Sequence, residues 1–102
     1  MKVPVVVLMG STKFKEQWYE TAEKLYAEGN IVLMTHFFHH ADDKPITAEE
    51  EEKCWIMYRK MINMADYAYV INVGGYIGEH TKKDIAYALD NGLEVKYLEP
   101  VN

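Results

Sequence analysis

The sequence predicts an α/β fold, a three-layer sandwich in which a four-stranded parallel sheet lies between helices. Two observations support this prediction. Short runs of almost purely apolar, often β-branched residues alternate with segments that carry apolar residues at helical spacing. The runs also lack the polar–apolar alternation of a sheet with one face in water. Strands that are apolar on both sides are typical of parallel sheets covered by helices.

The first half of the chain supplies two strands and one helix. The run Val3–Met9 predicts a strand, which Gly10–Thr12 ends with a glycine and two hydroxyl residues suited to a helix N-cap. The next segment ends at Gly29–Asn30, a common helix stop. Ile31–Met34 predicts a second strand, and a polar loop follows over Thr35–Ile46. The apolar stripe of the first helix consists of Phe14, Trp18, Ala22 and Leu25.

The second half supplies two more strands and two more helices. Thr47–Glu50 has the form of a capping box, and it predicts a helix that continues to about Ala65. The acidic run in its first turn is favoured by the helix dipole. Tyr67–Val73 predicts a third strand, a third helix is expected over about Thr81–Asp90, and Val95–Leu98 predicts the last strand.

The predicted element order is therefore βαβαβαβ. Right-handed crossovers between four parallel strands most simply give the strand order 2-1-3-4, the arrangement of flavodoxin-like and Rossmann-like folds. With 102 residues, the chain is expected to form one domain, residues 1–102.

Composition narrows the possible functions. A formal net charge of -5 argues against binding a nucleic-acid polymer, which normally requires a basic face. Cys54 is the only cysteine, so a disulfide within the chain and a Cys-rich zinc site are excluded. No apolar run approaches the roughly 18 residues of a membrane span, and Met1–Met9 is too short for a signal peptide. We therefore expect a cytoplasmic protein.

The topology predicts where a ligand binds. In a 2-1-3-4 sheet the winding reverses between the first and third strands, and ligands bind beyond the carboxyl ends of the strands at that point. The two loops that meet there are Gly10–Thr12 and Gly74–Thr81, the ones richest in glycine and hydroxyl residues. A helix N-terminus after Gly10 could bind an anion such as phosphate, and the alternative is an ordinary turn with a capping serine. Neither loop has the spacing of a P-loop or a dinucleotide fingerprint.

Two carboxylates fall at the same edge of the sheet. Glu79 and Asp84 lie in the third loop or the first turns of the third helix, where a carboxylate could attack an electrophilic carbon or stabilise positive charge. A structural interpretation stays open for both residues. Thr81 and Asp84 have the spacing of a capping box, and Glu79 could simply interact with the helix dipole.

The segment Gly78–Ala88 resembles the signature of the nucleoside 2-deoxyribosyltransferase-like family, whose small phage and bacterial members have no assigned activity. Thr81 and Ile85 match the family pattern, and Asp84 stands where the family carries its nucleophilic glutamate. Gly10–Ser11 and the aspartate of Met64–Asp66 before the third strand are also similar. The resemblance extends over nearly the whole chain in element order.

This resemblance implies an enzyme that cleaves the N-glycosidic bond of a 2'-deoxynucleoside or its 5'-monophosphate. Asp84 would be the nucleophile, with Glu79 as a second candidate carboxylate. The first turn would bind the 5' end of the substrate, and aromatic side chains would stack on the base. No cofactor or metal is expected. The residues expected to contact substrate are Gly10, Ser11, Thr12, Phe37, Gly74, Gly75, Tyr76, Gly78 and Thr81.

The chain departs from the family in two respects. Asp84 is one methylene shorter than glutamate, and Tyr58–Lys60 holds no acid where family enzymes commonly have one. These departures keep open a binding or sensing module of the same fold without catalysis. A phosphoribohydrolase is a third, weaker alternative, because Gly74–Tyr76 partly resembles the glycine loop of that class.

The loop after the second strand is rich in potential metal ligands. His36, His39 and His40 precede Asp42 and Asp43. Loop spacing fixes no coordination geometry, so polar groups near the substrate or in solvent are the preferred interpretation. Cys54, inside the second helix, is expected to be a small core residue.

The helices carry more apolar residues than one face of each can bury. This excess predicts a partner surface, and a homodimer or higher homo-oligomer is the expected partner. The residues in question are Trp18, Tyr19, Tyr26, Trp55, Met57, Tyr58 and Met61.

Overall fold

A computed structural model describes residues 2–101, so Met1 and Asn102 of the predicted domain lie outside the described residues. The four strands form one parallel sheet in the order β2-β1-β3-β4, which confirms the predicted fold class and strand order. The strands are β1 (Val5–Gly10), β2 (Ile31–Leu33), β3 (Tyr67–Ile71) and β4 (Glu94–Tyr97). The helices are α1 (Lys15–Ala27), α2 (Ala48–Met64) and α3 (Glu79–Asp90).

The two faces of the sheet pack against different helices. On one face Val6 and Leu8 of β1 pack with Trp18 of α1 and with Phe38 from the loop after β2. On the other face the alternate residues of β1 and β3 pack against Ile62 of α2 and against α3. Because successive side chains of β1 point to opposite faces and both sets are fully buried, the strand must be apolar throughout.

Part of the predicted apolar excess is absorbed by the fold. Trp18 is buried, and Tyr58 and Met61 are half-buried. Tyr19 and Tyr26 of α1 stay exposed, as do the α2 residues Trp55, Ile56, Met57 and Met64. None of the helices within residues 2–101 combines the length and the apolarity needed to cross a membrane.

The ends of β1 and β3 approach each other too closely for a side chain. Gly10 pairs with Ile71 in the sheet register. A Cβ atom at Gly10 would lie 2.9 Å from the carbonyl oxygen of Ile71, a distance that real Cβ contacts essentially never show. Glycine is therefore required at this position by the sheet itself, before any role in binding.

The start of α3 differs from one of the alternatives that the sequence left open. The helix begins at Glu79, and its N-cap, Gly78, makes no capping hydrogen bond through a side chain. Thr81 lies inside the first turn and is buried. The capping-box interpretation of Thr81 and Asp84 is therefore wrong, because the helix starts two residues earlier than expected. Asp84 lies in the second turn, where it is not needed as a cap.

The start of α2 is the capping box that the sequence predicts. The Thr47 hydroxyl accepts a hydrogen bond from the Glu50 backbone N–H at 3.1 Å, and the Glu50 carboxylate accepts one from the Thr47 N–H at 3.1 Å. These two bonds satisfy donors that would otherwise have no partner at the helix end. They also fix where α2 begins after the long loop.

We predict that Thr47→Ala destabilises the fold by about 1 kcal/mol, because the alanine cannot accept the Glu50 N–H bond. Urea unfolding followed by circular dichroism measures the change. Thr47→Ser is the matched control and keeps most of the stability, since serine retains the accepting hydroxyl. Equal stability of the alanine and serine variants would contradict the role of this cap.

Candidate functional site

A cavity of about 350 Å³ lies beyond the carboxyl ends of β1 and β3, at the predicted point of reversed winding. Five parts of the chain surround it: the turn after β1, Trp18 of α1, the loop after β2, one side of α2, and the segment from Tyr76 into the start of α3. Of the residues predicted to form the site, the structure brings nine together around this cavity. They are Gly10, Ser11, Thr12, Phe37, Tyr76, Gly78, Glu79, Thr81 and Asp84.

Gly74 and Gly75, which the sequence predicts as substrate-binding residues, do not line the cavity. Both belong to a short 3-10 turn, and the Gly74 N–H donates to the Glu99 carboxylate at 2.6 Å. The fully buried Asn72 side chain exchanges two further hydrogen bonds with the Glu99 backbone, at 2.8 and 2.9 Å. These contacts hold the glycine turn, through Asn72 and Gly74, against the segment after β4.

Asp84 is the carboxyl group with an unusual environment. Its side chain is half-buried in the cavity wall, and burial raises the pKa of the carboxyl to about 6, although the charges of His80 and Arg59 oppose this shift. Glu79, the other predicted carboxylate, also lines the cavity but lies at its surface. Its side chain is 84% exposed and pairs with Lys82 at 3.1 Å. A perturbed acid in a cavity is typical of functional sites, and Asp84 alone of the two fits that description.

A cation from α2 faces Asp84 where the resembled family commonly has an acid. The Arg59 guanidinium lies between two aromatic rings, 3.9 Å from the centroid of Trp55 and 4.4 Å from that of Tyr87. Its buried Nε atom has no hydrogen-bond partner among residues 2–101. Because the rings hold the guanidinium, Arg59 acts on the Asp84 carboxyl through its charge, and it lowers the pKa of that group.

Tyr58 supplies a contact that the sequence analysis did not assign to the site. Its hydroxyl donates to the carbonyl oxygen of Leu8 at 2.5 Å, and its side chain lines the cavity. Burial, reinforced by the charge of Asp84, raises the pKa of this hydroxyl well above its ordinary value. Tyr58 is therefore a protonated, fixed wall residue beside Asp84.

Several residues of α2 line the cavity although the sequence did not assign them to the site, and they lie on one side of the helix. Glu51, Cys54, Trp55 and Tyr58 are spaced by three, one and three residues, so they share one side of the helix. This spacing is the signal that could have identified them from the sequence. Cys54 thus faces the cavity and not the core, contrary to expectation. Burial, and then the charges of Glu50 and Glu51, raises the pKa of its thiol.

The histidines after β2 separate into two groups. His39 and His40 line the cavity, whereas His36 is exposed and does not. Nδ1 of His40 forms a 2.9 Å hydrogen bond with the Thr12 hydroxyl, and burial lowers the pKa of His39. Within residues 2–101 there is no group of three or more His, Cys, Asp or Glu side chains arranged to hold a metal ion. Asp42, a candidate ligand, instead pairs with Lys15 at 2.9 Å.

The turn after β1 uses several of its own polar groups internally. The Ser11 hydroxyl accepts from the Lys13 N–H at 3.4 Å, as predicted for a cap, and the Ser11 carbonyl accepts from the Phe14 N–H at 3.2 Å. The indole N–H of Trp18 donates to the same carbonyl at 3.0 Å. The residues after Ser11 form a 3-10 turn, so α1 itself begins only at Lys15.

Tyr76 forms part of the cavity rim. Its ring is about half exposed and lies edge-on to Phe14, with centroids 6.0 Å apart. The Lys13 ammonium sits 3.7 Å from the centroid of the Tyr76 ring. Phe14 and Lys13, which follow β1, thus hold the exposed Tyr76 ring in place. These contacts join the two loops on either side of the switch point of the sheet.

Comparisons of the chain with family models, curated proteins and solved structures gave no significant match. The resemblance to the deoxyribosyltransferase-like family therefore stays a prediction from the sequence.

We predict that Asp84→Asn stabilises the protein at neutral pH. The folded-state pKa of about 6 exceeds the ordinary value of 3.8, so the folded state binds the proton more tightly than the unfolded chain does. The wild type therefore loses stability as the pH rises from about 4 to 6 and stays at the lower level above that range. At pH 7.5 the variant should be more stable by about 1 to 3 kcal/mol, and at pH 3.5 the two should be equal.

Urea unfolding at the two pH values measures this difference. Asp90→Asn is the matched control, because Asp90 is an exposed residue at the end of the same helix. It should change the stability by less than about 0.5 kcal/mol at either pH. A difference between wild type and Asp84→Asn that does not depend on pH would contradict the raised pKa.

Proposed function

We propose that the protein cleaves the N-glycosidic bond of a 2'-deoxynucleoside or its 5'-monophosphate, with Asp84 as the nucleophile. The observation that carries this proposal is the position of Asp84, a half-buried carboxyl in the wall of a cavity at the switch point of the sheet. With a pKa of about 6, the group is mainly ionised at neutral pH and able to act as a nucleophile.

The reaction needs one carboxylate and a leaving group that accepts a proton. An Asp84 oxygen forms a bond to C1' of the deoxyribose while the C1'–N bond breaks, and the electron pair of that bond leaves on the base, which then takes up a proton. The transition state has oxocarbenium character, which a nearby negative charge stabilises. Water or a second base then attacks C1', and the Asp84 carboxylate is released.

The size and lining of the cavity support a ligand of nucleoside size. Its volume of about 350 Å³ falls near the lower end of the roughly 300 to 1,000 Å³ typical of small-molecule sites. Aromatic rings of Phe37, Trp55 and Tyr58 line it beside Asp84. Aromatic side chains are suitable partners for the flat face of a base, and these three come from two separate elements of the chain.

A binding or sensing module is the second candidate, favoured by the exposure of Glu79. That side chain is paired with Lys82 at the surface, so Glu79 is not a second buried carboxylate that could assist Asp84. The phosphoribohydrolase alternative loses support, because the glycines that suggested it, Gly74 and Gly75, do not line the cavity.

Release of free base tests the catalytic proposal. The protein is incubated with each deoxynucleoside and each deoxynucleoside 5'-monophosphate, and the base is quantified by chromatography. We expect turnover by the wild type, a loss of at least about 100-fold in Asp84→Ala, and wild-type turnover in Asp90→Asn. The rate should rise with pH through about 6, as Asp84 ionises.

Unchanged turnover in Asp84→Ala would refute the nucleophile. Ligand binding without base release would favour the sensing module, and a preference for ribonucleotides would favour the phosphoribohydrolase.

We propose that the chain also forms a homodimer or higher homo-oligomer through the outer side of α2. Ile56, Met57 and Met64 are each more than half exposed, and Trp55 adjoins them. Exposed apolar side chains of this kind are typical of protein–protein contacts.

Sedimentation equilibrium at micromolar concentration should give at least twice the mass of one chain. Met57→Lys should shift the equilibrium to one chain, because it places a charge in the apolar surface. Glu23→Lys, at an exposed position of α1, is the control and should not. A wild type that sediments as a single chain would refute the interface.

A further inference from the structure

Apart from histidines, the ionisable residues that supply charge to the cavity wall are all acidic. Among the lining residues that the structure describes, Glu51, Glu79 and Asp84 are acidic, and none is lysine or arginine. Glu51 lies on α2 and is about half exposed, with its carboxylate 3.0 Å from Nε2 of His80. That contact neutralises Glu51 only while the imidazole is protonated. Among the residues that the structure describes, the cavity wall therefore presents carboxylates, and no lysine or arginine, to a ligand that enters it.

The neighbouring cations are engaged elsewhere. The Lys82 ammonium pairs with Glu79, and Lys15 pairs with Asp42. The Arg59 guanidinium is held between the rings of Trp55 and Tyr87, and the Lys13 ammonium lies over the Tyr76 ring. None of these four cations belongs to the residues that line the cavity, so a phosphate group there lies beside carboxylates.

Several backbone N–H groups of the turn after β1 and of the glycine turn at Gly74 are also in use. In the turn after β1, the N–H groups of Lys13 and Phe14 are bonded to Ser11. In the glycine turn, the Gly74 N–H is bonded to the Glu99 carboxylate, so the chain itself supplies the anion there. Each turn thus uses part of its N–H groups within the chain, whereas phosphate sites at such turns leave these groups free for the ligand.

From these three observations we infer that the cavity selects an uncharged nucleoside and rejects its 5'-monophosphate, and that Glu51 is a specificity-determining residue. The inference rests on the proposed function for the identity of the ligand class. A phosphate carries between one and two negative charges near neutral pH, and bringing like charges together in a partly buried site is costly. Because the Asp84 carboxylate is needed for the reaction, Glu51 is the lining carboxylate whose charge can determine which ligand binds.

The test compares one deoxynucleoside with its own 5'-monophosphate. Dissociation constants are measured by calorimetry on the wild type at pH 8 and low salt, and where turnover occurs the ratio of kcat/KM replaces the ratio of constants. We expect a preference for the nucleoside of at least about tenfold. The preference should shrink as salt is added, because Glu51 is partly exposed and its charge is screened.

Substitution of Glu51 tests the residue itself. Glu51→Gln keeps the shape of the side chain and removes its charge, so it should reduce the preference several-fold, mainly by strengthening monophosphate binding. Glu52→Gln is the matched control, because Glu52 is exposed on the same helix and does not line the cavity. It should leave the preference unchanged.

The possible results separate this inference from the proposed function. Selective nucleoside binding without base release would refute the catalysis and support the inference. Base release with equal or better use of the monophosphate would overturn the inference alone. Failure of both ligands to bind would overturn both. A preference that Glu51→Gln leaves intact would overturn the role of Glu51.

Discussion

The contact between the ends of β1 and β3 is the constraint on which the site depends. Gly10 and Ile71 are neighbours in the sheet, and their backbones are so close that a Cβ atom at Gly10 would collide with the Ile71 carbonyl oxygen. This contact brings the turn after β1 next to the loop that leads into α3. The cavity lies where these two segments diverge towards opposite faces of the sheet. A larger residue at Gly10 would separate the strands and open the site before it affected any ligand.

The site also requires that an ionisable carboxyl group be partly buried, and this burial lowers the stability of the fold. Asp84 is held beside Tyr58, whose protonated hydroxyl is tied to the backbone of β1, and its raised pKa shows that the surroundings disfavour its charge. Arg59 and His80 offset only part of this effect. A fold maintained for stability alone would not need a carboxylate here, since asparagine fits the same space without the charge. The destabilisation is understandable if the carboxylate is used, as stability and activity often conflict at functional sites.

The sequence predicts the fold well and the site in part, for physical reasons that differ. The strands and the capping box at Thr47 follow from local patterns, and the switch point follows from strand order, so Gly10 and Asp84 could be assigned to one edge of the sheet. Gly74 and Gly75 could not be excluded, because their direction depends on Glu99, twenty-five residues away. Likewise, Tyr58 could be identified as apolar surface of a helix but not as the neighbour of Asp84, because that contact requires the crossing of α2 over the sheet.

Helix α2 has three roles on different sides, and this explains the excess of apolar residues in so short a chain. Ile62 packs against the sheet, the stripe from Glu51 to Tyr58 lines the cavity, and Met57 faces outwards. A helix that only covered a sheet would carry one apolar stripe. The net negative charge of the chain also has a local counterpart, because the acidic residue Glu51 lines the cavity. The feature that argues against binding a nucleic-acid polymer thus also argues, within the site, against a single phosphate.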